Sequence, residues 1–195
     1  ETVSEATRQA KAKSLTVSCD FNYRKNLWSG EEAQAVMKPL MEYVDVAIGN
    51  EEDADKCLGI RAEGVDVTSG ELDPEAYKPV VEKLVNQFGF SQVGITLRES
   101  QSADDNDWSA IYWDGSEILI GDKFPVRIVD RVGGGDAFSA GLIYGNIKGL
   151  ESRALIDFAV ASSAMAHTFH GDFNLVTEKE VLAVAGGDTS GRVQR

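Results

Sequence analysis

The chain has 195 residues, enough for one domain with a real core, and carries 19 basic against 32 acidic residues for a formal net charge of −13. That balance argues against nucleic acid, which needs a basic footprint, and against an anionic membrane surface; a local Arg or Lys can still hold a small anion. No segment reaches about 18 continuous apolar residues, and the first 13 residues lack the apolar stretch of a signal peptide.

In chain order, residues 3–13 suit a helix and residues 15–20 a strand. Residues 31–42 place Ala33, Val36, Met37, Leu40 and Met41 at helical spacing, followed by a strand over 43–48. A short helix over 51–58 ends near Gly59. A longer one spans 74–88, with Pro74 tolerated near its start and Pro79 blurring its register. Residues 92–97 read as a strand, and the polar, acidic stretch 100–107 as an exposed loop. Strands over 108–113 and 117–120 flank Asp114-Gly115, a hairpin turn signal, and 124–129 reads as another strand. A glycine run then opens a helix over 136–147. Further helices are expected over 151–167 and 177–185, with a frayed tail over 186–195. Strands alternating with helices predict an α/β sheet, at least partly parallel, within one domain over 1–185. The two cysteines, Cys19 and Cys57, form no CxxC pair, which suits a reduced, cytoplasmic chain; Cys19 is expected in the core and Cys57 on a helix near a turn.

Four groups of residues carry chemistry. Gly133, Gly134 and Gly135 let the backbone approach a ligand, and the helix that follows offers unpaired N–H groups to an anion. Asp136, in that first turn, is a base for phosphoryl transfer to a hydroxyl, or alternatively a plain helix cap. Asp20-Phe21-Asn22-Tyr23-Arg24 sits at a strand end, where open α/β sheets bind ligands. If the extended backbone persists, Asp20, Asn22 and Arg24 point the same way; Arg24 then clamps a carboxylate and Asn22 contacts oxygens. The alternative is a polar loop with Trp28 as packing. Asn50-Glu51-Glu52-Asp53 is either a ligand-organising turn or a solvated acidic helix start. His167 and His170 have no cysteine partner and make no zinc site. No GxxxxGK[ST] loop, Rossmann fingerprint or nucleophile elbow occurs.

Asp130-Arg131-Val132-Gly133-Gly134-Gly135-Asp136-Ala137-Phe138 resembles the C-terminal signature of the ribokinase-like, or PfkB, carbohydrate kinases, D-T-x-G-A-G-D-x-F. Arg131 replaces the usual Thr and Gly134 the usual Ala. The resemblance implies a ribokinase-like three-layer α/β/α sandwich with Asp136 as catalytic base and Gly133, Gly134 and Gly135 as the anion hole. It also implies ATP, Mg²⁺ and a possible monovalent cation near Asp130. The run D-x-N-x-R-x-x-L-W from Asp20 to Trp28 resembles 2-keto-3-deoxygluconate kinases within that family, which makes Arg24 and Asn22 substrate ligands for an acidic sugar. Asn50 and Asp53 resemble the N-x-x-E motif that organises Mg²⁺ indirectly, with Asp in place of Glu. Thr96 and Arg98 neighbour the nucleotide phosphates; Arg98 reads equally as an exposed loop residue. Ala159, Ser163 and His167 line an adenine slot or pack helices, and Asn174 is a further nucleotide contact.

Family members are longer and begin with strands and a β-sheet lid unrecognisable before Glu1. The chain therefore reads as an incomplete, C-terminal nucleotide-binding portion of a kinase, expected to oligomerise when full-length. Phosphorylation of 2-keto-3-deoxygluconate by ATP is the leading expectation. A fructokinase or ribokinase, and a noncatalytic nucleotide-binding fragment, are the alternatives.

Overall fold

The computed structural model describes residues 1–50, 52–61 and 74–188. The helix expected over 51–58 therefore loses its first residue to the undescribed part, as the expected tail loses 189–195. The chain divides into two compact units: Glu1–Leu97 with Ile111–Leu119, and Arg98–Ala110 with Ile120–Arg195. The strands form a mixed sheet in the order β1-β2-β3-β4-β5, with β6 against β4.

The first unit contains α1 (Thr2–Ala12), β1 (Ser18–Asp20), α2 (Gly30–Leu40), β2 (Val46–Asn50), α3 (Asp53–Leu58), α4 (Lys78–Phe88) and most of β3 (Gln92–Ser100). β1, β2 and β3 pair in parallel, with Ser18 opposite Val46 and Val46 opposite Gln92. β1 starts at Ser18, three residues later than expected, and ends at Asp20 as expected, and Asn22 just beyond takes φ 44°. α2 opens with a capping box: the Ser29 hydroxyl accepts from the Glu32 amide at 3.2 Å, and the Glu32 carboxylate from the Ser29 amide at 2.8 Å. It closes at Leu40, just after Pro39 has removed one backbone donor, and Met41–Tyr43 forms a 3₁₀ turn. The next strand consequently starts at Val46 rather than at residue 43. Pro74–Tyr77 is likewise a 3₁₀ turn, so Pro79 falls in the first turn of α4, where its missing N–H costs nothing. Gly59 and Gly89 end α3 and α4 in the left-handed conformation, as helix C-caps require. Val46, Ala47, Ile48, Val81, Leu84, Val93 and Ile95 form the core. Cys57 is buried in α3; Cys19 is only half-buried, against the expectation of a core position.

The second unit contains the end of β3, most of β4 (Asp105–Trp113), the end of β5 (Ile118–Ile120), β6 (Phe124–Arg127), α5 (Gly134–Lys148), α6 (Ser152–Ala166) and α7 (Glu178–Ala185). Half of the loop expected over 100–107 is strand. β3 runs through Ser100, β4 starts at Asp105, and the Gln101 and Ser102 amides both reach the Asp105 carbonyl at 3.0 Å. Its polar residues alternate as a strand does: Asn106 is buried and takes a 2.9 Å bond from the Ser100 hydroxyl, while Asp105 is exposed. β4 and β6 pair antiparallel, with Trp108 opposite Phe124. β6 stops at Arg127 because the Val129 amide turns to the His167 carbonyl at 2.8 Å.

α5 begins two residues earlier than expected, so Gly134 and Gly135 are its first turn rather than a loop before it. α5 and α6 meet closely at Gly141, where a Cβ would lie 2.7 Å from the Ala159 Cα. Tyr144 and Phe158 stack at 5.3 Å beside that contact. Among the described residues no helix is long and apolar enough to cross a membrane.

Candidate active site

Gly133 takes φ 82° and caps α5; Gly134, Gly135 and Asp136 are the first three residues of the helix. The first rung of the helix is the Ala137 amide to the Gly133 carbonyl, 2.8 Å. The amides of Gly134, Gly135 and Asp136 thus stand outside the ladder, at the positive end of a 15-residue helix. The Asp136 side chain is exposed. A Cβ on Gly135 would meet nothing within 4 Å, whereas one on Gly133 would lie 2.9 Å from the Asp172 carbonyl oxygen and one on Gly134 only 2.3 Å from the His167 ring. An open amide, an exposed carboxylate and a helix N-terminus together can hold an anion beside a base.

The approach to this turn is tied down by backbone bonds. Asp130 accepts from the Val132 amide at 3.1 Å and from the Gly171 amide at 2.9 Å, which lowers its pKa, the Gly171 bond most. Arg131 is held on the Ala103 carbonyl.

The expected nucleotide residues divide. Ser163 is fully buried and donates to the Gly134 carbonyl at 2.7 Å. His167 is 4 % exposed; its Nδ1 lies 2.7 Å from the Ser163 carbonyl, and its ring sits 4.4 Å from that of Trp108. A carbonyl only accepts, so Nδ1 carries the proton, and burial pushes the ring's pKa below its ordinary value. Ala159 is buried against Gly141. Ser163 and His167 are therefore brought to the glycine turn, but from beneath it. Asn174 donates to the Ser162 carbonyl at 3.2 Å and lines a cleft of about 260 Å³ with Ala137, Gly141, Tyr144 and Phe158. Arg98 is exposed at the end of β3. Thr96, in the first unit, is buried with its hydroxyl 3.4 Å from the Gly49 carbonyl.

In the first unit the alternation expected for Asp20, Asn22 and Arg24 does not hold, because the positive φ at Asn22 interrupts the strand. Asp20 instead accepts from the Asn22 amide at 3.1 Å, a side-chain-closed turn. Arg24 is exposed and donates to the Tyr23 carbonyl at 3.0 Å. Asp53 is 3 % exposed and held at both oxygens: one accepts from the Tyr23 amide at 3.1 Å, the other from the Asn50 amide at 2.9 Å. Burial raises its pKa to about 6, outweighing those two bonds, which lower it. The Asn50 side-chain oxygen accepts from the Glu52 and Asp53 amides at 2.8 and 3.1 Å, capping α3. Among the described residues no cluster of three His, Cys, Asp or Glu could hold a metal directly. The role expected of Asn50 and Asp53 is indirect, through water, and needs no direct ligand. Sequence reasoning missed the clasp from Asp53 to Tyr23, since residues 30 apart show no shared pattern. It also missed Trp108 beside His167.

An α/β sheet with a glycine-opened helix start and an exposed aspartate defines a class of anion-binding α/β proteins. The chain is a member of one family within it: residues 1–179 match the pfkB family carbohydrate kinase, and the chain belongs to that family. The 2-dehydro-3-deoxygluconokinase of Thermotoga maritima is similar in structure, with a TM-score of 0.87 and 45% identity over 94% of this chain and 54% of that one. A PfkB family carbohydrate kinase from Listeria grayi aligns with a TM-score of 0.82 and 27% identity, over 95% of this chain and 54% of its own. The 2-dehydro-3-deoxygalactonokinase of Haloferax volcanii is 29% identical over 98% of this chain and 54% of its own length. The chain spans about half the length of the curated relatives it matches.

Proposed function

We propose that the protein carrying this chain transfers the γ-phosphoryl group of ATP to a hydroxyl of a 2-keto-3-deoxy sugar acid, with 2-keto-3-deoxygluconate as the leading substrate, and that this chain is its C-terminal, nucleotide-binding portion. The observation that carries the reading is the exposed Asp136 in the first turn of a helix whose amides at 134–136 stand outside the ladder. The 45% identity to the Thermotoga kinase supports the substrate class.

Asp136 takes the proton of the acceptor hydroxyl as that oxygen bonds to the γ-phosphorus and the bond to the leaving ADP oxygen breaks. The Gly133–Gly135 turn meets the developing negative charge with backbone N–H groups. That charge is spread over the phosphoryl oxygens, so positioning and charge stabilisation supply most of the acceleration. Mg²⁺, when bound with the nucleotide phosphates, would offset their charge, with Asn50 and Asp53 the candidates to organise it indirectly. Arg24 pairs with the sugar carboxylate and Asn22 with its oxygens. Among the nucleotide candidates, the exposed Arg98 and the cleft-lining Asn174 contact ligand, while Ala159, Ser163 and His167 pack beneath α5.

A substrate panel tests the reading: ADP release from ATP with 2-keto-3-deoxygluconate, 2-keto-3-deoxygalactonate, fructose and ribose. Turnover confined to the acidic sugars is expected. Preference for a neutral sugar would make the protein a fructokinase- or ribokinase-type enzyme, and ATP binding without transfer a noncatalytic one. Arg24→Ala should raise KM for the acidic sugar by about 10- to 100-fold, the worth of hydrogen bonds to a charged group. An unchanged KM would remove Arg24 from the site.

A further inference from the structure

We infer that His167 is a positioning residue for the phosphate-facing turn, and that residue 134 is glycine because His167 occupies the space of its Cβ. The inference rests on the proposed phosphoryl transfer at Asp136.

Glycine in a helix costs about 1 kcal/mol relative to alanine, so a buried helical glycine needs a steric reason. Gly134 has one. Its Cβ would lie 2.3 Å from His167 Cε1 and 2.6 Å from Nε2, separations no packed pair tolerates. The ring has no room to yield. It is 4 % exposed, its Nδ1 is bound to the Ser163 carbonyl at 2.7 Å, and Trp108 lies against it at 4.4 Å.

The C-terminal end of α6 and its cap residue His167 grip the turn and its approach at three further points. The Ser163 hydroxyl donates to the Gly134 carbonyl at 2.7 Å. The His167 carbonyl accepts from the Val129 amide at 2.8 Å and from the Asp130 amide at 3.3 Å. One residue therefore supports the floor of the turn with its ring and anchors its entrance with its carbonyl. Asp136 lies two residues beyond Gly134 in the same helical turn, so a shift at Gly134 moves its carboxylate and the open amides together. A misplacement of about 1 Å is enough to cost roughly 10²-fold in rate.

A double-mutant cycle tests this: the wild type, Gly134→Ala, His167→Ala and both together, with His167→Val as a second partner that keeps apolar filling beside Trp108. Two quantities are read: kcat for transfer from ATP to 2-keto-3-deoxygluconate, and hydrogen-exchange protection of the Ala137 amide, the first rung of α5. Gly134→Ala should lower kcat by about 10²-fold and loosen Ala137. Adding either His167 substitution to Gly134→Ala should raise kcat again and restore protection, although His167→Ala alone lowers kcat. The inference is overturned if Gly134→Ala keeps its kcat, or if the His167 change lowers kcat by the same factor in both backgrounds. Restored protection without restored kcat would reduce the contact to packing and overturn the positioning role. A wild type that transfers phosphate to no sugar would instead sink the proposed function. The exchange cycle then decides the contact alone: coupled protection upholds it, independent losses overturn it.

Discussion

Asp136 and Asp53 are two carboxylates in opposite environments. Asp136 is exposed beside a helix N-terminus, and Asp53 is buried with both oxygens on backbone amides. The first suits proton transfer, the second a clasp that joins the loop carrying Arg24 to the end of β2. Asp136→Asn should lower kcat by about 10²- to 10⁴-fold, the usual worth of a general base, and leave the affinity for ATP nearly unchanged. Equal turnover at saturating substrates would remove Asp136 from that role. Asp53 affects stability through its proton. Its pKa rises on folding from an ordinary 3.8 to about 6, so the fold binds the proton more tightly than the unfolded chain does. Its contribution is therefore complete below 3.8 and is lost as pH climbs through about 6. The wild type should lose thermal stability relative to Asp53→Asn as pH is raised across that window. A difference in Tm that stays constant with pH would show that Asp53 does not titrate there.

At the scale of elements, α5 uses its glycines for different purposes. Gly141 lets two backbones touch: a Cβ there would meet the Ala159 Cα, which cannot rotate away. Gly135 faces open space. Gly141→Val should therefore destabilise the protein by about 1–3 kcal/mol, the cost of overpacking a filled contact. Gly135→Ala should leave Tm unchanged or raise it while lowering kcat, since a methyl group there intrudes only on a ligand. Thermal melts of both variants check this, and a fall in Tm for Gly135→Ala would show that the position is filled. The helices themselves were legible in the sequence, through apolar residues at helical spacing over 31–42 and through Gly59 at the end of α3. The second strand of the β3–β4 hairpin was only partly so. Its acidic residues read as loop, because alternation shows in sequence only when the inward positions are apolar, and Asn106 is not.

For the whole molecule, the charge of −13 makes self-repulsion a general term, screened over about 8 Å at physiological salt. Raising NaCl from about 10 to about 150 mM should raise Tm. A fall would mean that local attractions, such as the 2.7 Å pair between Arg8 and Glu5, outweigh it. The same excess negative charge repels an acidic sugar and a nucleotide at long range. Under the proposed function, recognition of either falls to a few local donors, for which Arg24, Arg98 and the α5 amides are the candidates.

The α/β class, the glycine-opened helix, the candidate base and the family were determined by sequence alone, because each depends on residues adjacent in the chain or spaced by one helical or strand period. Tertiary structure alone decided what surrounds them. The His167 ring fills the space over Gly134, and the Asp53 carboxylate accepts from the Tyr23 and Asn50 amides. Contacts between residues 30 or more positions apart, such as Tyr23 with Asp53 and Gly134 with His167, are set by packing and burial, and neither is written in local spacing.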